Sequence, residues 1–538
     1  MDTTGAAITP GDAEVRQAEY AERAHEGDGR EQATYATELV KNYIDGKWVE
    51  GSAGQTFESR NPATGELLGV LTVSDRSDVD RAVQAAERAF QKWRLLPAPK
   101  RGEILFRAAE ILVRRKEELA RLMTMEMGKV IAEARGDVQE AIDMTYYMAG
   151  EGRRLEGPVV PSELPNKFAM AVRDPIGVVG CITPWNFPIA IPSWKIMPAL
   201  IAGNTIVFKP ASDTPLLAVE LVKILEEAGL PPGVLNLVLG PGGSVGEAMI
   251  EHPGIKLISF TGSTAAGHQV AMACAKTLKR VSLEMGGKNA IIVMDDAKLD
   301  LAVEGILWSA FGTTGQRCTA ASRVIVQRGV LKELQDRLVE RIRRFRLGNG
   351  LDPNTDIGPV VNRTQLQRID RMVKQGVQEG NELVIGGEIA AEGELAKGNF
   401  YKPTLFTNVR PDTMIAQEEI FGPVTALIPV DTLEEAIEVN NNTKYGLSSS
   451  IYTQDVNKAF RAMRDITTGI VYVNAGTIGA EIQLPFGGTR GTGNGHREAG
   501  KAGLDVFTEW KTLYIDYSGR LQRAQIDTDA IKPETLQP

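Results

Sequence analysis

From Ile176 onward the chain alternates apolar runs with amphipathic stretches, and this alternation constrains the fold more than any other feature. Residues 176–182 (IGVVGCI) form an almost unbroken apolar run, as expected of a strand covered on both faces of its sheet. NTIVFKP (204–210) gives a second strand. TPLLAVELVKILEEAG then predicts a helix, with Asp213 as N-cap and Gly229 as its stop. VLNLVLG, a helix from Val245, LISF and a helix from Ala265 continue the pattern. Such alternation predicts a doubly wound α/β unit that binds nucleotides beyond the carboxyl ends of its strands. A second α/β region begins near Asn289, with strands NAIIVM, RVIV, ALIPV, SSSIYT and GIVYVN and helices at 329–346, 364–379, 433–441 and 455–465. Ahead of both, residues 78–152 read as helical from apolar spacings of three and four. YIDGKWVEG (43–51) reads as strand–turn–strand, and FTEWKTLYIDY (507–517) as a final strand.

A chain of 538 residues suits two or three domains. The net charge is −9 and no dense Lys/Arg block occurs, so neither nucleic acid nor an anionic membrane surface is favoured as a partner. No apolar run approaches the ~18 residues of a spanning helix, and no basic-then-apolar leader begins the chain. The three cysteines, Cys181, Cys274 and Cys318, are too few for a disulfide framework and point to a reducing compartment, hence a cytoplasmic location. The four histidines are His25, His252, His268 and His496. None pairs at metal-ligand spacing and no Cys-x-x-Cys occurs, so no metal is expected. Residues 1–40 read as a polar extension and 518–538 as a polar tail.

Of the three cysteines only Cys318, in FGTTGQRCTAA, falls on a loop. Flanked by Arg317 and backbone amides, its thiol is expected to be partly ionised. Cys181 and Cys274 read as buried structural residues. No histidine stands near Cys318 in a recognisable motif, so a carboxylate must serve as base, and Glu284 in VSLEMGGKN is the candidate. Asn186 in TPWNFP (183–188) sits on a rigid turn after a buried strand, where an amide can donate to a developing oxyanion. ISFTGSTAAG (258–267) carries a turn with Ser263 at a helix start, which suits a phosphate, although it is not G-x-G-x-x-G.

Together TPWNFP, FKPASDTP (208–215), FTGSTAAG (260–267), LEMGGKN (283–289), GQRC (315–318), EEIFGPV (418–424) and LPFGG (484–488) resemble the aldehyde dehydrogenase superfamily, in order and spacing, over roughly 40–517. The resemblance implies Cys318 as nucleophile, Glu284 as general base and Asn186, with the Cys318 N–H, as oxyanion hole. It implies Lys195 as a support for that asparagine and for the proton path, and Glu498 as a carboxylate on the proton exit. His496, inserted before Arg497-Glu498, departs from the family pattern. Cofactor contacts are implied for Ile182, Thr183, Pro184, Trp185, Lys209, Ser212, Gly242, Gly246, Phe260, Gly262, Ser263, Gly267 and Met285. Gln365, Arg368, Glu419 and Phe421 are implied on the nicotinamide side.

The implied cofactor is NAD or NADP. Ser212 stands where a Glu would repel a 2′-phosphate, so NADP is expected to be accepted. Implied pocket residues are Met144, Tyr147, Phe187, Trp194, Arg317, Thr319 and Phe486, mostly apolar, for a small-molecule aldehyde. GAEI (479–482) is similar to a segment of relatives acting on amino-acid semialdehydes. The implied architecture is α/β, with two doubly wound α/β domains and a small β oligomerisation flap, in a homodimer or homotetramer. Residues 41–156 and 175–287 would form the cofactor domain, 288–503 the catalytic domain, and 157–174 with 504–517 the flap. Three other readings stay open: a CoA-acylating semialdehyde dehydrogenase, opposed by Glu284; a cysteine hydrolase; and a non-catalytic structural relative, opposed by the intact Cys318, Glu284 and Asn186.

Overall fold

A computed structural model describes residues 38–526. Almost all of the extension expected over 1–40, and the end of the expected tail, lie outside them. Two seven-stranded sheets dominate the described residues, each with helices packed on it. In the first, the strand order is Arg280–Glu284, Ile255–Thr261, Val178–Ile182, Thr205–Lys209, Leu235–Leu237, Asn42–Ile44, Lys47–Val49. The first five are parallel. Chain order reverses between Val178–Ile182 and Ile255–Thr261, which makes this edge-to-edge junction the switch point of a doubly wound sheet. The hairpin from Asn42 to Val49 docks antiparallel on Leu235–Leu237. Its turn residues Asp45 and Gly46 both have positive φ (54° and 76°), as a tight two-residue hairpin requires.

The second sheet runs Glu382–Ile385, Thr404–Thr407, Val424–Val430, Ala321–Gln327, Asn289–Val293, Ser448–Tyr452, Ile470–Val473, parallel except at its first pair. Its strand Ser448–Tyr452 is fully buried despite three serines. The hydroxyls of Ser448 and Ser449 donate to Thr477 O and Asn440 Oδ1, both at 2.8 Å, so their burial leaves no polar group unmet. Two three-stranded sheets complete the set. One joins Leu39–Val40, Leu67–Thr72 and Thr56–Arg60, and was not foreseen. In the other, Lys167–Pro175 pairs antiparallel with both Thr508–Asp516 and Val159–Pro161.

The helical reading of 78–152 resolves into four helices: Arg76–Trp93, Ala98–Arg114, Lys116–Met127 and Ile131–Glu151. Pro97, preceding the second, suits a helix start. Gly128 ends the third in the left-handed region (φ 97°), where a Cβ would lie 2.6 Å from Pro359. Asp213 does not cap the helix Pro215–Glu227. Its carboxylate instead accepts from Asn362 Nδ2 at 2.7 Å, and the helix start is met by the distant Glu126, which accepts from Leu216 N (2.8 Å) and Leu217 N (3.2 Å). Among the described residues no helix is long and apolar enough to cross a membrane.

Candidate active site

The helix Leu299–Phe311 ends at a turn that presents Cys318. Thr313, Thr314 and Gly315 are successive left-handed residues, with φ of 53°, 58° and 67°. For two β-branched residues this costs roughly 1–3 kcal/mol each. Hydrogen bonds hold the strained turn. The Glu133 carboxylate accepts from Thr313 N (2.8 and 2.9 Å) and Oγ1 (3.2 Å), and Thr314 Oγ1 donates to Gly358 O at 2.9 Å. Gln316 donates to Pro359 O and accepts from Val361 N. Past the turn, Asn289 Nδ2 donates to Cys318 O (2.7 Å) and Ala320 O (2.9 Å). Asn186 Nδ2 donates to Gln316 O at 3.1 Å, bringing the amide within one residue of the turn's end.

The expected ionised thiol is corrected by these surroundings. Burial first, then the nearby carboxylates of Glu284, Glu419 and Glu140, push the Cys318 thiol up to about 12. Arg317 does not offset them. Its Nε donates to Thr313 Oγ1 (2.8 Å), its Nη2 pairs with Glu133 (3.4 Å), and its guanidinium lies over the rings of Phe187 and Trp308.

Glu284 closes the strand Arg280–Glu284, 3% exposed, and both its carboxyl oxygens lack a partner among the described residues. It rests against backbone: a Cβ on Gly487 would stand 2.7 Å from Oε1. Burial, then the charge of Glu498, hold its carboxyl well above the usual carboxylate range. Behind it Lys195 Nζ is ion-paired with Glu498 and donates to Ser259 Oγ at 3.1 Å. Among the described residues these are the partners of Lys195 Nζ, and the expected contact with Asn186 is not among them. Despite the inserted His496, reciprocal backbone bonds between Phe486 and Glu498, both 2.7 Å, set Glu498 in the site.

Of the residues expected to contact a cofactor, Ile182 and Phe260 pair across the switch point. Thr183 N donates to Lys209 O (3.2 Å) after Ile182 ends its strand, and Pro184 leads into Trp185, whose ring meets Phe421 edge-on at 5.3 Å. Lys209 Nζ donates to Pro210 O at 2.8 Å, and burial lowers its ammonium to about 8. Ser212 Oγ donates to Gly240 O at 3.2 Å. Gly242–Gly246 forms a turn whose last residue faces the Lys209 stem. Ser263 caps Thr264–Ala275 through Ala266 N. Gly262 and Gly267 are compelled by packing, since a Cβ would meet the Phe260 ring at 2.5 Å and Met285 Sδ at 2.2 Å. Glu419 Oε1 accepts from Gly287 N at 2.9 Å. Arg368 donates to the carbonyls of Glu419 (2.8 Å) and Ile420 (3.2 Å), so its guanidinium holds this loop, while Gln365 N binds the capping Asn362. The buried hydroxyls of Thr183 and Thr261 have no partner among the described residues, as fits a cleft that takes a polar ligand.

A cavity of ≈ 110 Å³ opens at Cys318, and Phe187, Trp194, Arg317, Thr319 and Phe486 line it with Glu284 and Glu498. Trp194 and Phe486 meet edge-on at 5.0 Å. Met144 and Tyr147 do not line it: Met144 is fully buried in the core, and Tyr147 packs on that core. Glu140 lines the cavity instead, four positions earlier on the same helix. That spacing from Met144 marks the same helical face and was a usable signal.

A thiol and a buried unpartnered carboxyl in one cavity, beside a dinucleotide-type switch point, fit an aldehyde-oxidising dehydrogenase. The sequence matches the model of the aldehyde dehydrogenase family over residues 48–513, and the chain belongs to that family. It is an NAD(P)-dependent aldehyde dehydrogenase. It is 43% identical over 486 residues to the alpha-ketoglutaric semialdehyde dehydrogenase of Bacillus subtilis, covering 90% of this chain and 99% of that protein. It is 39% identical over 473 residues to the glutarate-semialdehyde dehydrogenase of Pseudomonas putida, covering 88% and 97%. Among solved structures, betaine aldehyde dehydrogenase of Staphylococcus aureus in complex with NAD+ superposes with a TM-score of 0.88 at 34% identity, covering 89% of this chain and 95% of that one.

Proposed function

We propose that this enzyme oxidises a semialdehyde bearing a distal carboxylate to the corresponding dicarboxylic acid, with Cys318 as nucleophile. The observation that carries this reading is one cavity that joins Cys318, Glu284 and a cation, Arg317. The names of the relatives, α-ketoglutaric and glutarate semialdehyde dehydrogenases, support the substrate class.

Cys318 Sγ loses its proton to solvent and attacks the carbonyl carbon. The oxyanion is held by the Cys318 N–H and by the Asn186 amide hydrogen not engaged with Gln316, and one such donor is worth about 3–4 kcal/mol elsewhere. NAD(P)+, when bound at the switch point, supplies the hydride acceptor. Hydride loss converts the thiohemiacetal into a thioester on Cys318. Glu284 takes a proton from water, the hydroxide adds to the thioester, and the C–S bond breaks to release acid and thiolate. A carboxyl held above its usual range is a stronger base than an ordinary carboxylate. Lys195 and Glu498, paired behind Glu284, offer the proton its onward path. No metal is required.

In the division of labour we propose, residues 41–156 and 175–287 hold the cofactor, 288–503 carry the nucleophile, and 157–174 with 504–517 make subunit contacts. Trp510, Tyr514 and Ile515 stand exposed on the strand Thr508–Asp516, which supports a homodimer or homotetramer. The three cysteines are all free, in keeping with a cytoplasmic enzyme. The test is absorbance at 340 nm with purified protein, NAD+ or NADP+, and a panel containing 5-oxopentanoate and simple aldehydes. Turnover led by the carboxylate-bearing member is expected; no reduced cofactor with any aldehyde would overturn the reading.

A further inference from the structure

We propose that Glu140 is a second recognition group of the substrate cavity: together with Arg317 it grips the distal carboxylate, Arg317 contributing charge and Glu140, as a carboxylic acid, donating a hydrogen bond. This rests on the reading above that the substrate carries a carboxylate.

Three acidic residues stand close together on the helix Ile131–Glu151, and two of them are engaged. Glu133 is held by Thr313 and Arg317. Asp137 is paired with the buried Lys129 at 2.7 Å and accepts from Ala190 N at 3.0 Å. Glu140 lines the cavity beside Phe187, Arg317 and Cys318, and among the described residues no hydrogen bond or ion pair reaches its carboxyl. Arg317 keeps Nη1 without a partner among the described residues, while Nε and Nη2 are engaged with Thr313 and Glu133. The cavity wall therefore offers one unengaged guanidinium nitrogen and one unengaged carboxyl to a ligand whose other end meets Cys318. An ionised Glu140 would repel a carboxylate there. A protonated one gives it a charge-assisted bond.

The surroundings favour the protonated form. Burial first, then Asp137, raise the Glu140 carboxyl to about 8, with Asp143 acting the same way; Lys129 and Arg317 act against them. These groups come from its own helix, the segment before it and the nucleophile turn. A carboxyl raised to about 8 is expected to keep its proton at neutral pH. As pH rises through about 8 the proton is lost, and the carboxylate that replaces it repels the substrate. An uncharged aldehyde is indifferent to this change.

The experiment measures kcat/KM for 5-oxopentanoate and for pentanal, its uncharged counterpart, across pH 6.5 to 9.5. The ratio of the two cancels the titration of Cys318 and Glu284, which both substrates share. In the wild type this ratio should fall about tenfold between pH 7 and pH 9. Glu140→Gln, which keeps a donor of similar shape but cannot ionise, should give a ratio that stays flat with pH. Arg317→Met should lower the ratio at every pH, and the variants' thermal melts check that they fold. A Glu140→Gln ratio that follows the wild-type pH curve, or a wild-type ratio that does not move, would overturn this proposal alone. A wild type that prefers pentanal at pH 7 would overturn the carboxylate substrate itself, and this proposal with it.

Discussion

The Glu133 carboxylate receives Thr313 through both its backbone N–H, at 2.8 and 2.9 Å, and its hydroxyl, at 3.2 Å. It fastens the first residue of a left-handed turn to a helix of the other sheet's layer, five positions before Cys318. Glu133→Ala leaves a buried N–H without a partner, at about 1–3 kcal/mol, and frees the turn to relax. The expected result is a lower melting temperature and a burst of reduced cofactor slowed roughly 10–100-fold. Glu133→Gln, which retains an acceptor, should fall between. Rapid-mixing absorbance at 340 nm reads the burst; a wild-type burst rate in Glu133→Ala would remove this role.

The resting thiol should react as a thiol. With its pKa pushed up to about 12, the thiolate fraction of Cys318 grows tenfold per pH unit through the working range. Inactivation of the free enzyme by iodoacetamide should therefore accelerate about 100-fold between pH 7 and pH 9. A rate already at its plateau near pH 7 would mean that the thiolate is formed before substrate arrives. Cys318→Ala should have no dehydrogenase activity.

Glu284→Gln should separate the two halves of the reaction. The burst persists, and steady turnover falls about 10²–10⁴-fold because the water loses its base. Gly487→Ala tests the same step from the other side, since the new Cβ would lie 2.7 Å from Glu284 Oε1, at a φ of +149° that disfavours any side chain. It too should slow hydrolysis more than the burst. In the wild type, hydrolysis should quicken as pH rises, because a carboxyl held above its usual range gains its base form on that side. Full steady turnover in Glu284→Gln would assign the base elsewhere.

Ser212 carries no charge, and among the described residues its hydroxyl donates to Gly240 O. NADP+ should be used with a kcat/KM within ~100-fold of NAD+, a ratio equal to ~2.7 kcal/mol. Ser212→Glu should shift the ratio toward NAD+. Initial rates with both cofactors decide, and an NADP+ value lower than that bound refutes the expectation.

The two large sheets were legible because their central strands are buried on both faces and read as unbroken apolar runs. The helical stretch before them was legible as a face but not as four helices, since the break after Arg114 carries neither Gly nor Pro. The three-stranded sheet of Leu39–Val40, Leu67–Thr72 and Thr56–Arg60 escaped because such short, partly exposed strands leave little pattern. In the candidate site, Cys318, Glu284 and Asn186 stood in local motifs. The state of the thiol did not. It is set by burial and by carboxylates from three distant segments, and no local motif contains that sum. Glu140 escaped for a related reason: a helical glutamate reads as solvated until the opposing wall is known.

Lys195 and Glu498, paired behind the base, are 303 positions apart in the chain. The strand Thr508–Asp516 likewise closes on Lys167–Pro175, laid down far earlier. A polypeptide made from its N-terminus therefore contains Cys318 before Glu498, the partner of Lys195, has been added. Closure of the pocket behind Glu284 thus waits on a segment made 303 positions after Lys195.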